Sequence, residues 1–133
     1  MAVTQQAAAI ENARKGYTAF DAGDIATVQQ VVADDAVWHS PGKSRFGGEY
    51  KGKQAVFELF GRLMQEGVGQ QHDIHDILAS DDHVVVLSTV TVTFKGRSIK
   101  LPVADVIHQN DQGQTREWWR IGESKEFDDL VNS

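Results

Sequence analysis

Residues 83–109, HVVVLSTVTVTFKGRSIKLPVADVIHQ, decide the fold because apolar residues recur at every second position on both sides of Lys95-Gly96. Before Lys95 the apolar residues mostly occupy even positions, and after Gly96 they occupy odd positions. A period of two is the pattern of a half-buried strand. A two-residue turn at Lys95-Gly96 predicts an antiparallel hairpin in which the two apolar faces coincide.

The predicted register leaves one carboxylate on the apolar face. It pairs Val92 with Ile99, Val90 with Leu101, Ser88 with Val103, and Val86 with Asp105. Burial among apolar neighbours favours the neutral form of a carboxyl group, and a neutral acid can donate a hydrogen bond to a developing oxyanion. Two alternatives stay open: a register slip that turns Asp105 to solvent, and a structural ion pair with Arg116 or Arg120.

Helical periodicity precedes the hairpin. A first helix has apolar residues on one face, namely Ile10, Ala13, Tyr17 and Phe20, and ends at Gly23. Asp24 is the predicted N-cap of a shorter helix with an inward face of Ile25, Val28, Val31 and Val32. A third helix carries Val56, Leu59, Phe60, Leu63 and Met64 on one face.

The remaining segments complete one domain. Residues 36–40 predict a short strand, and the glycine-rich loop from Gly42 to Gly48 is interpreted as a polar, mobile lid. Residues 115–121 predict a last strand, and the last dozen residues form a tail or a short helix. The element order predicts a single α+β domain over residues 1–133, in which helices and a mainly antiparallel curved sheet enclose an apolar pocket.

Composition narrows the function. The 133 residues include 13 Lys and Arg against 19 Asp and Glu, a formal charge of -6, with no basic stripe. We therefore expect neither nucleic acid nor a membrane as partner. Cysteine is absent, which excludes disulfides and thiolate chemistry. The N-terminal residues lack an apolar signal core, so the sequence predicts a cytoplasmic protein.

Histidines and tryptophans supply the other candidate site residues. Trp38 and Ser40 alternate on one side of the short strand and His39 points to the other unless a bulge intervenes, so either side could face the pocket. His39 is a candidate general base or a packing residue. The histidines at 72, 75 and 83 lack the spacing of a metal site and are interpreted as a solvated strand edge. In the last strand, Trp118 and Trp119 point to opposite faces, one toward the cavity.

Three stretches resemble a known family: YTAFDAGD at 17–24, ADDAVWHSPG at 33–42 and GEYKGKQAV at 48–56. Together with the Asp105 strand they are similar to the SnoaL-like polyketide cyclase and ketosteroid isomerase branch of the NTF2-like superfamily. The resemblance covers nearly the whole chain. It implies a cone-shaped α+β barrel, a deep apolar pocket, and a homodimer formed through the outer face of the sheet. This fold hosts many reactions, so the resemblance alone does not assign one.

The resemblance also bears on single residues. Asp105, eight residues before Gly113, falls where ketosteroid isomerases keep a protonated oxyanion-hole aspartic acid. The general-base aspartate of those enzymes would lie at Ser40, and their oxyanion tyrosine would lie at Gly16, one residue before Tyr17. The arginine of limonene-epoxide-hydrolase-like enzymes would lie at Val103. These departures argue against steroid isomerisation and against epoxide hydrolysis by the familiar mechanisms.

The sequence hypothesis is a small cofactor-independent acid–base enzyme, an isomerase, cyclase or lyase, acting on a hydrophobic carbonyl compound. Its catalytic residues would be Asp105 and His39, with no metal. The residues expected to contact the substrate are Tyr17, Trp38, Ser40, Phe60, Val86, Ser88, Leu101, Val103 and Trp118. The alternative is a non-catalytic module that binds a hydrophobic small molecule. A third possibility is an interaction protein that uses the outer face of the sheet.

Overall fold

The computed structural model describes residues 3–133 and confirms the α+β class. Within those residues, four helices pack on a six-stranded sheet. In chain order the elements are α1 (Val3–Asp21), α2 (Ile25–Val31), β1 (Val32–Ser40), β2 (Gly48–Lys51), α3 (Lys53–Gln65), β3 (Gly69–Ala79), β4 (Val84–Phe94), β5 (Arg97–Gln109), β6 (Thr115–Ile121) and α4 (Lys125–Val131).

The strands lie in the order β2-β1-β6-β5-β4-β3. Only β1 and β6 run parallel among the described strand pairs, so the sheet is mainly antiparallel as predicted. The edges β2 and β3 do not pair with each other, and the sheet is therefore an open cone rather than a closed barrel. An open, curved sheet leaves one concave face for the helices to cover.

The β4–β5 hairpin has the predicted register. Val92 pairs with Ile99, and three further predicted pairs are confirmed, namely Val90 with Leu101, Ser88 with Val103 and Val86 with Asp105. Both turn residues adopt positive φ, 52° at Lys95 and 76° at Gly96. Positive φ at both central residues is what a type I′ two-residue hairpin turn requires, and glycine meets that requirement at Gly96 without steric cost.

The boundary between α2 and β1 differs from the prediction. Asp24 does cap α2, because its carboxylate accepts a hydrogen bond from the Thr27 backbone N–H at 3.2 Å. Val32, predicted on the inward face of that helix, is instead the first residue of β1. The strand begins early because its parallel pairing with β6 already includes Val32 opposite Thr115. Local periodicity cannot predict such long-range pairing.

The glycine-rich loop and the chain end both pack against the core. The loop from Gly42 to Gly48, predicted to be polar and mobile, contains Phe46, which is only 1% exposed and packs in the core. Asp128 of α4 accepts a hydrogen bond from the Lys43 backbone N–H, which anchors the loop. The chain end forms α4, the short helix that was one of the two predicted alternatives, with Leu130 and Val131 buried in the same core. No helix in the described part of the chain combines the length and apolar character needed to cross a membrane.

Candidate functional site

A cavity of about 150 Å³ lies between the concave face of the sheet and the helices. Seven of the residues predicted to contact a substrate line it: Tyr17, Trp38, Ser40, Phe60, Leu101, Val103 and Trp118. An engineered apolar cavity of the same volume holds one benzene-sized molecule. The cavity is thus a candidate binding site for a small ligand.

Two predicted contact residues do not line the cavity. Val86 and Ser88 point to the concave side, as the alternation requires, but both are buried within the wall. Val86 packs in a separate cluster with Ala13 of α1 and Ile77 of β3. Helix α1 contacts β4 and packs on Val86, which separates this residue from the cavity. Among described atoms the Ser88 hydroxyl has no hydrogen-bond partner.

Aromatic rings form much of the cavity wall. The parallel pairing of β1 and β6 sets Trp38 directly beside Trp118, with ring centroids 4.8 Å apart and planes tilted by 31°. Phe20 of α1 meets Phe60 of α3 edge to face, at 5.2 Å. Flat rings held at such angles favour flat, apolar ligands.

Asp105 lies in the cavity lining and is ion-paired. Strand pairing sets it opposite Arg120, whose Nε donates to Oδ1 at 2.9 Å and whose Nη2 donates to Oδ2 at 3.0 Å. Tyr17 of α1 donates its hydroxyl proton to Oδ2 at 2.5 Å. A two-pronged contact with guanidinium is the geometry of an ionised carboxylate. The structure therefore matches the alternative in which Asp105 forms a structural ion pair with Arg120.

Burial and the charge of Asp105 shift the pKa values of Tyr17 and Arg120. Burial, and then the negative charge of Asp105, raise the pKa of Tyr17 well above its ordinary value, so its hydroxyl stays a donor. For Arg120, burial acts to lower the pKa, but the charge and hydrogen bonds of Asp105 outweigh it and leave the pKa raised. The guanidinium therefore stays charged beside the cavity.

A second layer holds Arg120 from the other side. Its Nη1 donates to Gln70 Oε1 at 3.1 Å, and its Nη2 donates to His72 Nε2 at 3.0 Å. Arginine has no acceptor, so His72 Nε2 must accept, and its Nδ1–H donates to Asp21 Oδ1 at 2.7 Å. Burial, followed by the charge of Arg120, lowers the pKa of His72, which agrees with a neutral ring. We call Tyr17, Asp21, Gln70, His72, Asp105 and Arg120 the polar cluster.

His72 corrects one interpretation of the sequence. It was assigned to a solvated strand edge, yet its side chain is only 3% exposed. The reason is its register, because His72 pairs with the inward residue Val90 of β4. His75 is exposed, as predicted, and contacts Thr89. Within residues 3–133, no three His, Asp or Glu side chains are arranged to hold a metal ion.

His39 lies on the opposite face of the sheet from Asp105. Trp38 and Ser40 line the cavity, so the alternation of β1 turns His39 outward. There His39 Nε2 contacts Glu117 Oε2 at 2.7 Å, and its ring stacks on Trp119 with centroids 4.8 Å apart. The structure therefore does not bring the two predicted catalytic residues together. It does place Trp118 and Trp119 on opposite faces, as predicted.

Comparison with known proteins agrees with this architecture. The SnoaL-like domain family matches residues 13–118. The chain belongs to the SnoaL-like family. Among curated proteins, no match to this SnoaL-like chain was found.

Solved structures place the SnoaL-like chain among NTF2-like folds. Bal32a, from a soil-derived mobile gene cassette, is 28% identical with a TM-score of 0.86, over 95% of this chain and 98% of Bal32a. An NTF2-like protein of unknown function from Burkholderia pseudomallei is 22% identical, with the same TM-score and coverages. TerC, crystallised with polyporic acid, is 24% identical with a TM-score of 0.84, over 95% of this chain and 99% of TerC. The last two likenesses concern the fold alone.

Proposed function

We propose that this SnoaL-like protein is a small cofactor-independent acid–base enzyme acting on a hydrophobic carbonyl compound. The observation that carries the proposal is the ion pair of Asp105 and Arg120 in the lining of an aromatic, apolar cavity. A carboxylate in the cavity lining can act as a general base, and a fixed guanidinium stabilises developing negative charge.

In the proposed step, Asp105 is the base. Three donors approach its carboxylate, two of them at Oδ2, and a carboxylate offers about four lone-pair positions, so Oδ1 can accept one more proton. Asp105 takes a proton from the carbon beside the carbonyl, the C–H electron pair forms a C=C bond, and the π pair of the carbonyl moves onto its oxygen to give an enolate. Returning that proton to another carbon is an isomerisation, and expelling a leaving group is a lyase reaction.

Arg120 provides the donor for the resulting oxyanion. Its guanidinium has five N–H groups, and four of them have partners in the polar cluster. One N–H on Nη1 has no partner among the described residues. A single N–H donor of this kind matches a carbonyl oxygen and costs no reorganisation as charge develops. His39 has no part in this mechanism, because the sheet separates it from the cavity.

The test is exchange of carbon-bound protons. Cyclohexanone and acetophenone are incubated with the protein in D₂O, and loss of the proton signal beside the carbonyl is followed by NMR. We expect exchange above the buffer rate for at least one ketone, reduced at least about 100-fold in Asp105→Asn. Asp73→Asn, the same change on an exposed residue of β3, should retain the wild-type rate. Wild-type exchange at the buffer rate for both ketones would contradict the proposal.

A binding module is the second candidate. It is favoured by the fact that the polar groups of the cluster already satisfy one another, as they would in a wall that only orients a ligand. In that case a ketone would raise the melting temperature without any proton exchange. The homodimer and the cytoplasmic location expected from the sequence stay predictions.

A further inference from the structure

Charge is scarce around the cavity. In the described part of the chain, the lining includes three charged residues, Asp105, Arg120 and Glu123, and His72 is neutral. Glu123 accepts hydrogen bonds from the backbone N–H groups of Lys125 and Glu126. Asp21 adds a further negative charge directly behind His72. The surroundings of the cavity therefore carry more negative than positive charge.

Arg120, the one cation in that lining, is already paired with protein groups. Asp105 occupies the Nε and Nη2 prongs of Arg120, which are the prongs that a ligand carboxylate would need for a two-pronged contact. Gln70 and His72 occupy the opposite edge of the guanidinium. A ligand anion would therefore meet a single N–H, with the charge of Arg120 already balanced by Asp105. A neutral carbonyl oxygen needs no more than that one donor.

We infer that the cavity selects small, neutral ring compounds bearing a carbonyl oxygen and rejects their carboxylate counterparts, with the Asp105–Arg120 pair as the determinant. This inference rests on the site of the proposed function and names its ligand class. The ring follows from the aromatic walls, including Trp38, Trp118 and Phe60, and the small size follows from the cavity volume of about 150 Å³. Neutrality follows from the cost of burying an unpaired charge.

Benzamide and benzoate test this inference because they have nearly the same shape, but benzamide is neutral and benzoate is an anion. Their dissociation constants for the wild-type protein are measured at pH 7.5 by isothermal titration calorimetry. We expect benzamide to bind, and benzoate to bind at least about 100-fold more weakly. Benzoate binding within about threefold of benzamide, or no binding of benzamide, would overturn the inference. This comparison requires no variant and stands even if a cavity substitution unfolds the protein.

Asp105→Asn tests the determinant. Removing the charge leaves Arg120 without its counterion, so the ratio of benzoate to benzamide affinity should rise at least about tenfold. Asp73→Asn removes one charge from the outside of β3 and should leave the ratio unchanged. An unchanged ratio in a folded Asp105→Asn protein would remove the pair as determinant. Because binding is measured without turnover, absent proton exchange would refute the proposed function while leaving this selectivity intact.

Discussion

The Asp105–Arg120 pair predicts a strong energetic coupling that a double-mutant cycle can measure. The Asp105 side chain is 1% exposed and the Arg120 side chain 15% exposed, so water cannot replace the contact between the two charges. Asp105→Asn leaves a buried guanidinium without its counterion, and Arg120→Met leaves a buried carboxylate without its own. Breaking a buried pair from one side typically costs about 3–5 kcal/mol of unfolding free energy.

The losses of unfolding free energy in the two single variants should not add up to the loss in the double variant. Each variant strands one buried charge, whereas the double variant Asp105→Asn/Arg120→Met strands none. If each single change costs about 4 kcal/mol, additivity predicts about 8 kcal/mol for the double variant. We expect the double variant to lose at least about 2–3 kcal/mol less than that sum, which is the upper end of measured coupling energies for contacting residues. His72 and Gln70 keep the double variant from being neutral, because both lose their bonds to Arg120.

The free energy of unfolding of the wild type, the two single variants and the double variant is measured by urea unfolding followed by tryptophan fluorescence. Fluorescence reports on this region because Trp38 and Trp118 lie in the cavity wall beside the pair. The exposed pair of Lys125 and Asp129, with a similar N–O distance of 2.7 Å, is the matched control. Asp129→Asn should leave the urea midpoint unchanged, because solvent replaces the lost contact. Losses that add within about 0.5 kcal/mol would refute the coupling.

Three further predictions concern single residues. The pKa of His72 is lowered below its ordinary 6.5 in the folded protein, so as the pH falls the unfolded chain binds a proton at this histidine before the folded chain does. The free energy of unfolding should therefore fall as the pH drops below 6.5, by up to about 1.4 kcal/mol per pH unit. Urea titrations at several pH values should show a weaker pH dependence for His72→Gln than for the wild type. Tyr17→Phe should cost about 1.5–3 kcal/mol in urea unfolding, because a hydrogen bond to a charged group is lost. Ser88→Ala should leave the melting temperature unchanged or raised, because no described group partners the hydroxyl; a loss of several degrees would contradict this.

The position of Asp105 was predictable because it depends on one hairpin. A two-residue turn and two alternating strands define the β4–β5 register, and the same alternation places Trp118 and Arg120 on one face of β6. The sequence could therefore name Arg120 as a partner of Asp105. It could not decide between that ion pair and a neutral acid, because the choice depends on how β5 pairs with β6 across a longer turn with a register shift.

The local sequence pattern could not predict that His72 is buried or that His39 points away from the cavity, and the reasons differ. The orientation of His72 depends on β3, where a bulge between Ile74 and Asp76 reverses the alternation partway along the strand. Alternation offered His39 two faces, and only the packing of Trp38 against Trp118 in the cavity wall selects the outer one. The pairing of β3 with β4 could have identified His72, since it places that residue opposite inward Val90.

The polar cluster connects α1 to the sheet and is also the candidate active site. Tyr17 and Asp21 belong to α1, and their bonds to Asp105 and His72 hold that helix against the sheet. A substitution at Asp105 therefore removes the proposed base and one of the ties that position the cavity wall. Loss of proton exchange in Asp105→Asn is evidence for chemistry only where the variant is still folded, and the urea midpoint sets that limit. Tyr17→Phe supplies the complementary case, because it loosens the same connection while leaving the carboxylate paired with Arg120 and able to accept a proton.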